Sequence, residues 1–231
     1  YRKYKDVKTK IFKNQTKDDI AILNLENDEV LKQTENIKSK KLYFSSKKKA
    51  DCYLKDDIIY YNDEEVLDTN RMIIVGNHNK ENVMASIMVA KEFNVSNETI
   101  RKVAYNFKGV EHRLEFSGEL DGVKYYNDTE ATNIKCTQIA LSSFNKPTII
   151  ILGGLERGQD FNELTPYMKN VKAVLAIGEC RKRVEDYAKS LKIPVYTHEF
   201  LKDAMKEIEG IKKSGDVVLL SPASASWDQY K

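Results

Sequence analysis

The strongest constraint in this sequence is the rhythm of its second half. Runs over 148–152, 173–177, 194–196 and 216–220 are apolar almost throughout, as in Thr148-Ile-Ile-Ile-Leu152 and Ala173-Val-Leu-Ala-Ile177. A strand with one wet face alternates apolar and polar residues, whereas a strand buried on both faces does not. Segments of helical periodicity over 134–144, 161–168, 180–191 and 201–212 separate these runs. Strands alternating with helices build a parallel sheet covered on both sides, so this half reads as a Rossmann-like α/β domain with a mostly parallel sheet. It opens with two strand candidates, 114–118 and 123–127, joined through Asp121-Gly122, a strong hairpin dipeptide.

The first half has another texture. Tyr4, Val7 and Ile11 stand at helical spacing in a charged stretch over 1–12, which reads as the end of an amphipathic helix. A buried-strand run covers 19–24, and short strands are expected over 42–45, 51–54, 58–61 and 65–67, between Lys- and Asp-rich turns. A strand over 71–75 runs into a loop, and helices follow over 80–93 and from Ser96, the candidate cap, to 107. Gly109 stops the last helix. A domain boundary is placed there, giving 1–109 and 110–231.

Composition narrows the function. The 231 residues carry 38 basic and 35 acidic side chains, a formal net charge of +3. A dedicated nucleic-acid binder would carry a basic surplus. Only seven of the basic residues are Arg, so each one invites a specific explanation. Cys52, Cys136 and Cys180 are odd in number and too scattered for a disulfide framework or a zinc site. No apolar run is long enough to cross a bilayer and no signal-peptide core is visible, so a cytoplasmic protein is expected.

Ligands of open α/β sheets bind beyond the carboxyl ends of the strands. Three polar loops fall there: Asn127-Asp-Thr-Glu-Ala-Thr-Asn133, Gly153-Gly-Leu-Glu-Arg-Gly-Gln-Asp160 and Ser221-Pro-Ala-Ser-Ala-Ser-Trp-Asp-Gln229. Each alone could be an ordinary turn or helix cap. Together, with Arg157 able to fork onto a carboxylate or phosphate, they suit a small anion.

These loops, taken in order after Gly76-Asn-His-Asn-Lys-Glu-Asn82 and Gly109-Val-Glu-His-Arg113, resemble the Mur ligase family along essentially the whole chain, and within it the members that add D-glutamate. The resemblance implies the C-terminal part of an ATPase domain followed by a glutamate-binding domain. It implies a cytoplasmic, monomeric amide ligase that uses ATP and Mg²⁺ to join D-glutamate to UDP-N-acetylmuramoyl-L-alanine through an acyl phosphate. Such chemistry needs fixed donors and cations around phosphoryl oxygens rather than a side-chain nucleophile.

Carried over by position, the resemblance puts Asn79 and Asn82 at the adenine, His112 and Arg113 at the ATP phosphates and Asp128 at the ribose. Asn79 also suits a helix cap. Lys8, in a Tyr-x-x-x-Lys-x-x-Ile segment, would be carbamylated and help hold Mg²⁺, while Thr132, Arg157, Ser226 and the Trp227 backbone would hold D-glutamate. Two positions depart from the family pattern: Glu130 stands where Lys is usual, and Ser224 where Cys is common. A reversed charge at 130 is expected to weaken anion binding unless Lys124 or Lys135 compensates. No Gly-Lys dipeptide, and therefore no phosphate-binding loop, occurs in the sequence. The chain thus reads as a piece lying downstream of that loop and inactive alone. A non-catalytic ligand-binding module on the same scaffold and a folylpolyglutamate-type ligase are the alternatives.

Overall fold

The structure is a computed structural model that describes residues 7–228; Tyr4 and Gln229 lie outside them. The chain divides into two compact units, Tyr1–Ile73 with Asn77–Phe107 and Ile74–Gly76 with Lys108–Lys231.

The first unit holds five strands, β1 (Ile20–Asn24), β2 (Lys40–Ser45), β3 (Cys52–Lys55), β4 (Ile58–Tyr61) and β5 (Glu64–Asp68), side by side in sequence order. β1, β2 and β3 run parallel, and β3, β4 and β5 form an antiparallel meander. Its two turns are Asp56-Asp57 and Asn62-Asp63, all at positive φ. Two-residue hairpins need that geometry, and Asp and Asn tolerate it better than other side chains with a Cβ. A short helix, α1 (Asp28–Gln33), carries the chain from β1 to β2, capped by Asn27. Two longer helices, α2 (Asn77–Glu92) and α3 (Asn97–Asn106), complete a core of Leu42, Ile59, Leu67, Met84, Ile87, Met88 and Ile100. Ser96 caps α3, its hydroxyl accepting from the Thr99 amide at 3.2 Å.

Two expectations fail in this unit or at its edge. The strand over 71–75 does not form: the Asp68 side chain accepts from the Asn70 amide, a 3₁₀ turn over Thr69–Arg71 ends β5, and residues 72–76 are irregular and half-buried. Helix α2 starts at Asn77, not at 80, so Asn79 sits inside the first turn rather than at the cap. Of the helix end expected over 1–12, residues 1–6 lie outside the described residues, 7–9 are helical, and a 3₁₀ turn over Lys10–Phe12 closes the segment.

The second unit contains β6 (Glu115–Leu120), β7 (Val123–Asn127), β8 (Thr148–Gly153), β9 (Val171–Ile177), β10 (Val195–Thr197) and β11 (Val217–Leu220), in the spatial order β10-β9-β8-β11-β7-β6. All neighbours are parallel except the β6–β7 hairpin, which turns through Asp121 and Gly122, both at positive φ. Successive side chains of a strand point to opposite faces. Ile150, Leu152, Val174, Ala176 and Leu219 therefore pack with residues of α4 (Ile134–Ser142) and α5 (Arg181–Ser190), such as Ala140, Leu141, Val184 and Ala188. Ile149, Ile151, Leu175 and Val218 pack with Ala204 and Ile208 of α6 (Leu201–Ile211). Two-sided burial is the reason for the unbroken apolar runs. The helix expected over 161–168 is instead a run of 3₁₀ turns, Phe161–Asn170, containing Pro166. Proline has no N–H for the α-helical ladder and clashes with the preceding turn.

Ile150 is fully buried. Ile150→Ala is expected to cost about 3 kcal/mol in denaturant unfolding. Ile11→Ala, at a residue 72% exposed, is expected to change stability by less than about 0.5 kcal/mol.

Candidate functional site

The site of the second unit is built by backbone before side chains. Because β11 lies between β7 and β8, the loops that follow these three strands meet. The Asp128 amide donates to the Leu220 carbonyl (2.8 Å), Gly153 N to the Pro222 carbonyl (2.9 Å), and Leu155 N to the Ala225 carbonyl (2.8 Å). The turn after β9 joins them, Cys180 N donating to the Gly154 carbonyl at 3.0 Å. These approaches are close enough to require glycine: a Cβ on Gly154 would sit 2.5 Å from the Ala225 carbonyl oxygen, and one on Gly178 would sit 2.6 Å from the Gly154 Cα.

Asp128 anchors the first loop from within. It is 6% exposed; Leu114 N donates to its Oδ1 at 3.1 Å, and Ser221 Oγ to its Oδ2 at 2.7 Å. Burial pushes this carboxyl above its ordinary range, outweighing the two hydrogen bonds and the Arg113 charge that pull it down. Both oxygens, expected at a ribose, are thus engaged inside the fold.

His112 and Leu114, either side of Arg113, both have positive φ. The segment is held from two sides: the Glu130 backbone amide donates to the His112 carbonyl (3.1 Å), and the Asn127 side-chain Nδ2 lies 3.0 Å from His112 Nδ1. Arg113 points to solvent, its Nη2 3.8 Å from Glu130 Oε2.

A cleft of about 570 Å³ opens beside these loops, with Thr132, Lys135, Arg157, Gln159, Asp160, Glu163 and Ser224 among its lining. Arg157 stacks on the Trp227 ring at 4.6 Å. Ser226 and Trp227 are exposed and are not part of the cleft wall. Glu130 is not part of it either, whereas Lys135 is. Lys124 lies within β7, opposite Glu119. The cleft therefore holds two cations and two carboxylates, and charges of both signs suit a ligand that itself carries both.

Two contributors escaped the sequence reading. Arg183, on α5, donates to Glu156 Oε1 at 2.5 Å and to the Gln159 carbonyl at 2.6 Å, clamping the Arg157 loop. The scarcity of Arg was the signal that pointed to it. Gln159 itself had no such signal.

In the first unit, Asn79 and Asn82 lie three residues apart on α2, their side-chain amides 3.5 Å from each other. The start of that helix is tied down by Glu81, which accepts from Asn24 Nδ2 (3.2 Å) and Ser46 Oγ (2.9 Å). Glu26 joins the same network: burial pushes its carboxyl up, but hydrogen bonds from Ser45, the Lys47 amide and Ser46, with the Lys47 charge, leave it below its ordinary value. Lys8 is exposed. No group of three or more His, Cys, Asp or Glu that could hold a metal ion occurs among the described residues.

Fold and site together define an α/β protein with a polar cleft, lined by charges of both signs, at the carboxyl ends of a mostly parallel sheet. Two family profiles match: Mur ligase middle domain over residues 1–90, and Mur ligase, glutamate ligase domain, over residues 112–224. The chain belongs to the Mur ligase family. It is 42% identical over 234 residues to the UDP-N-acetylmuramoylalanine–D-glutamate ligase of Geobacillus sp. (strain WCH70), a match covering 99% of this chain and 51% of that protein. The enzyme of the same name from Bacillus subtilis (strain 168) is 41% identical over 231 residues, again 99% of this chain and 51% of the relative. The chain spans about half the length of these curated relatives. Among solved structures, the UDP-N-acetylmuramate-alanine ligase of Thermotoga maritima superposes with a TM-score of 0.69 at 16% identity, covering 95% of this chain and 51% of that one. The MurF ligase of Thermotoga maritima in complex with ADP gives 0.68 at 19% identity, covering 95% and 53%. At such identities the structures speak for the fold.

The raised Asp128 carboxyl sets a sign. An acid whose folded pKa lies above its unfolded value costs stability once ionised, a cost absent below the unfolded value and complete above the folded one. Asp128→Asn removes the charge and keeps an acceptor for Leu114 N. The variant is expected to gain stability relative to the parent as pH rises from 3 to 7 in denaturant titrations; a difference that moves the other way contradicts the assignment.

Proposed function

We propose that this chain is the C-terminal part of an ATP-dependent amide ligase that adds D-glutamate to UDP-N-acetylmuramoyl-L-alanine in peptidoglycan synthesis. In this reading residues 1–109 are the latter portion of the ATP-binding domain and 110–231 the glutamate-binding domain, in a monomeric cytoplasmic enzyme. The observation that carries the reading is the cleft with Lys135 and Arg157 on one account and Asp160 and Glu163 on the other. A zwitterionic dicarboxylic amino acid carries the matching charges.

Arg157 forks onto a carboxylate of the acceptor, a geometry a guanidinium serves better than a point charge. Lys135 balances the second carboxylate and the Thr132 hydroxyl supplies a further donor, while Ser226 and the Trp227 amide, outside the cleft wall on the loop that carries the ring against Arg157, donate from beside it. Asp160 and Glu163 orient the amine. The ligase reaction moves the γ-phosphoryl group of ATP to the alanine carboxylate; the D-glutamate amine then displaces phosphate and loses a proton as the amide forms. Arg113 meets the transferring phosphoryl oxygens with His112 beside it, Asn79 and Asn82 meet the adenine, and Asp128 orders the ribose-side loop. Lys8, carbamylated, would help hold Mg²⁺, which would offset the charge on the phosphoryl oxygens.

The test is D-glutamate titration of the 231-residue chain followed by amide chemical shifts. Shifts are expected at residues 132, 157 and 224, at least tenfold weaker binding of L-glutamate, and loss of binding in Arg157→Ala. Ligase turnover is expected only when the phosphate-binding part of the enzyme is joined to this chain. D-glutamate causing no shifts overturns the reading. In the joined enzyme, a silent parent alongside an active Glu130→Lys variant favours a non-catalytic binding module instead.

A further inference from the structure

Two loops carry the residues to which the acceptor site is assigned, Arg157 on one and Ser224 to Trp227 on the other, and one side chain spans the gap between them. The Gln159 carboxamide oxygen accepts from the Arg157 amide at 3.0 Å. Its nitrogen donates to Ser224 Oγ, and lies 3.4 Å from the Leu155 carbonyl and 3.8 Å from Cys180 Sγ. Ser224 and Cys180 are 2% and 1% exposed, and their polar atoms are 3.6 Å apart. The amide nitrogen is thus surrounded by acceptors, two of them on side chains that are almost fully buried. Arg183 pins the Gln159 carbonyl from the other side at 2.6 Å, so the backbone from which this side chain departs is fixed as well.

The arrangement has a direction. A carboxamide offers an acceptor and a donor at opposite corners. Here the acceptor corner holds the peptide unit of Arg157 and the donor corner holds the loop after β11. Arg157 itself is exposed, and among the described residues it is the exposed Trp227 ring that lies against its guanidinium. The placing of that guanidinium at the cleft therefore rests on its backbone, and Gln159 holds that backbone.

We propose that Gln159 is a positioning residue for the acceptor amino acid: by latching the Arg157 peptide to Ser224, it sets Arg157 at the distance from the loop after β11 that a dicarboxylate requires. The proposal rests on the ligase reading of the same cleft. Gln159 does not contact the reacting atoms, and its effect travels through Arg157. Preorganised groups bind more tightly because less motion is lost on binding.

The test uses Gln159→Met, which keeps the length of the side chain without its hydrogen bonds, together with Ser224→Ala and the double variant. D-glutamate affinity of the 231-residue chain is expected to fall at least fivefold in Gln159→Met. The double variant is expected to be no weaker than the worse single one, since both changes cut the same link. In the joined enzyme the same variant is expected to raise KM for D-glutamate while kcat and the KM for ATP stay within twofold, a split that general loosening of the fold would not give. Affinity within twofold of the parent, or additive losses in the double variant, overturns the proposal. Should the parent itself not bind D-glutamate, the ligase reading fails and amide exchange decides the latch alone: faster exchange at Arg157 and Leu155 in Gln159→Met, with β8 unchanged, supports it, and equal rates overturn it.

Discussion

β11 comes last in the sequence yet hydrogen-bonds in the middle of its sheet, between β7 and β8, and the candidate site exists because of that position. A strand added at the edge would have left the final loop beside one neighbour. Placed centrally, it puts Leu220 to Asp228 against the ends of β7 and β8 and the loops after them, close enough for three backbone hydrogen bonds. Crossovers between parallel strands are long, and the one into β11 contains all of α6. Its Ala204 and Ile208 cover the sheet face opposite α4 and α5, so the burial that holds β11 in place also builds the site.

At the carboxyl end of β11, apolar burial gives way to polar satisfaction. Ser221 is fully buried, with its hydroxyl on Asp128 and its carbonyl accepting from Thr137 Oγ1 at 3.2 Å. A buried carboxylate without partners would be far more costly than one with two donors. Even with them, burial keeps Asp128 above its ordinary range. Its carboxyl joins Leu114, Ser221 and the end of β7, and in the first unit Glu26 and Glu81 play the corresponding part, tying the ends of β1 and β2 to the start of α2. In both units acidic side chains hold loops at strand ends together, and the more exposed residues Asn82, Arg113 and Arg157 stand on those loops and on the helix that follows them.

What the sequence made legible follows the strength of local patterns. Ile149 to Leu152 and Ala173 to Ile177 were readable because two-sided burial permits little else, and Asp121-Gly122 because few dipeptides suit a two-residue hairpin. Arg71 to Val75 shows the same rule misleading: the run has strand composition, but Asp68 ends β5 in a capped turn, and composition says nothing about whether a partner strand is available. Phe161 to Met168 has helical spacing, which 3₁₀ turns nearly share, and Pro166 was the discriminating residue. α1 was missed because six residues are too few to establish a period. At the candidate site, motif order picked out the loops that meet beyond β7, β8 and β11. It could not show that Asp128 turns inward while Arg157 turns outward, since both sit in polar loops and only the packing separates them.

The charge reversed at position 130 acquires a different meaning once the loop is folded. Beside an anionic ligand, Glu130 would repel it directly. Instead its amide holds the His112 carbonyl and its carboxylate faces Arg113, while the cleft draws its positive charge from Lys135 and Arg157. At 3.8 Å between side chains 68% and 56% exposed, the Arg113–Glu130 pair is a surface ion pair, worth roughly 1 kcal/mol or less. So weak a contact cannot withhold Arg113 from an ion as highly charged as a polyphosphate. It can bias where the guanidinium rests before such an ion arrives. The departure from the family pattern therefore bears on Arg113 more than on the cleft, where Lys135 and Arg157 balance Asp160 and Glu163 without a lysine at position 130.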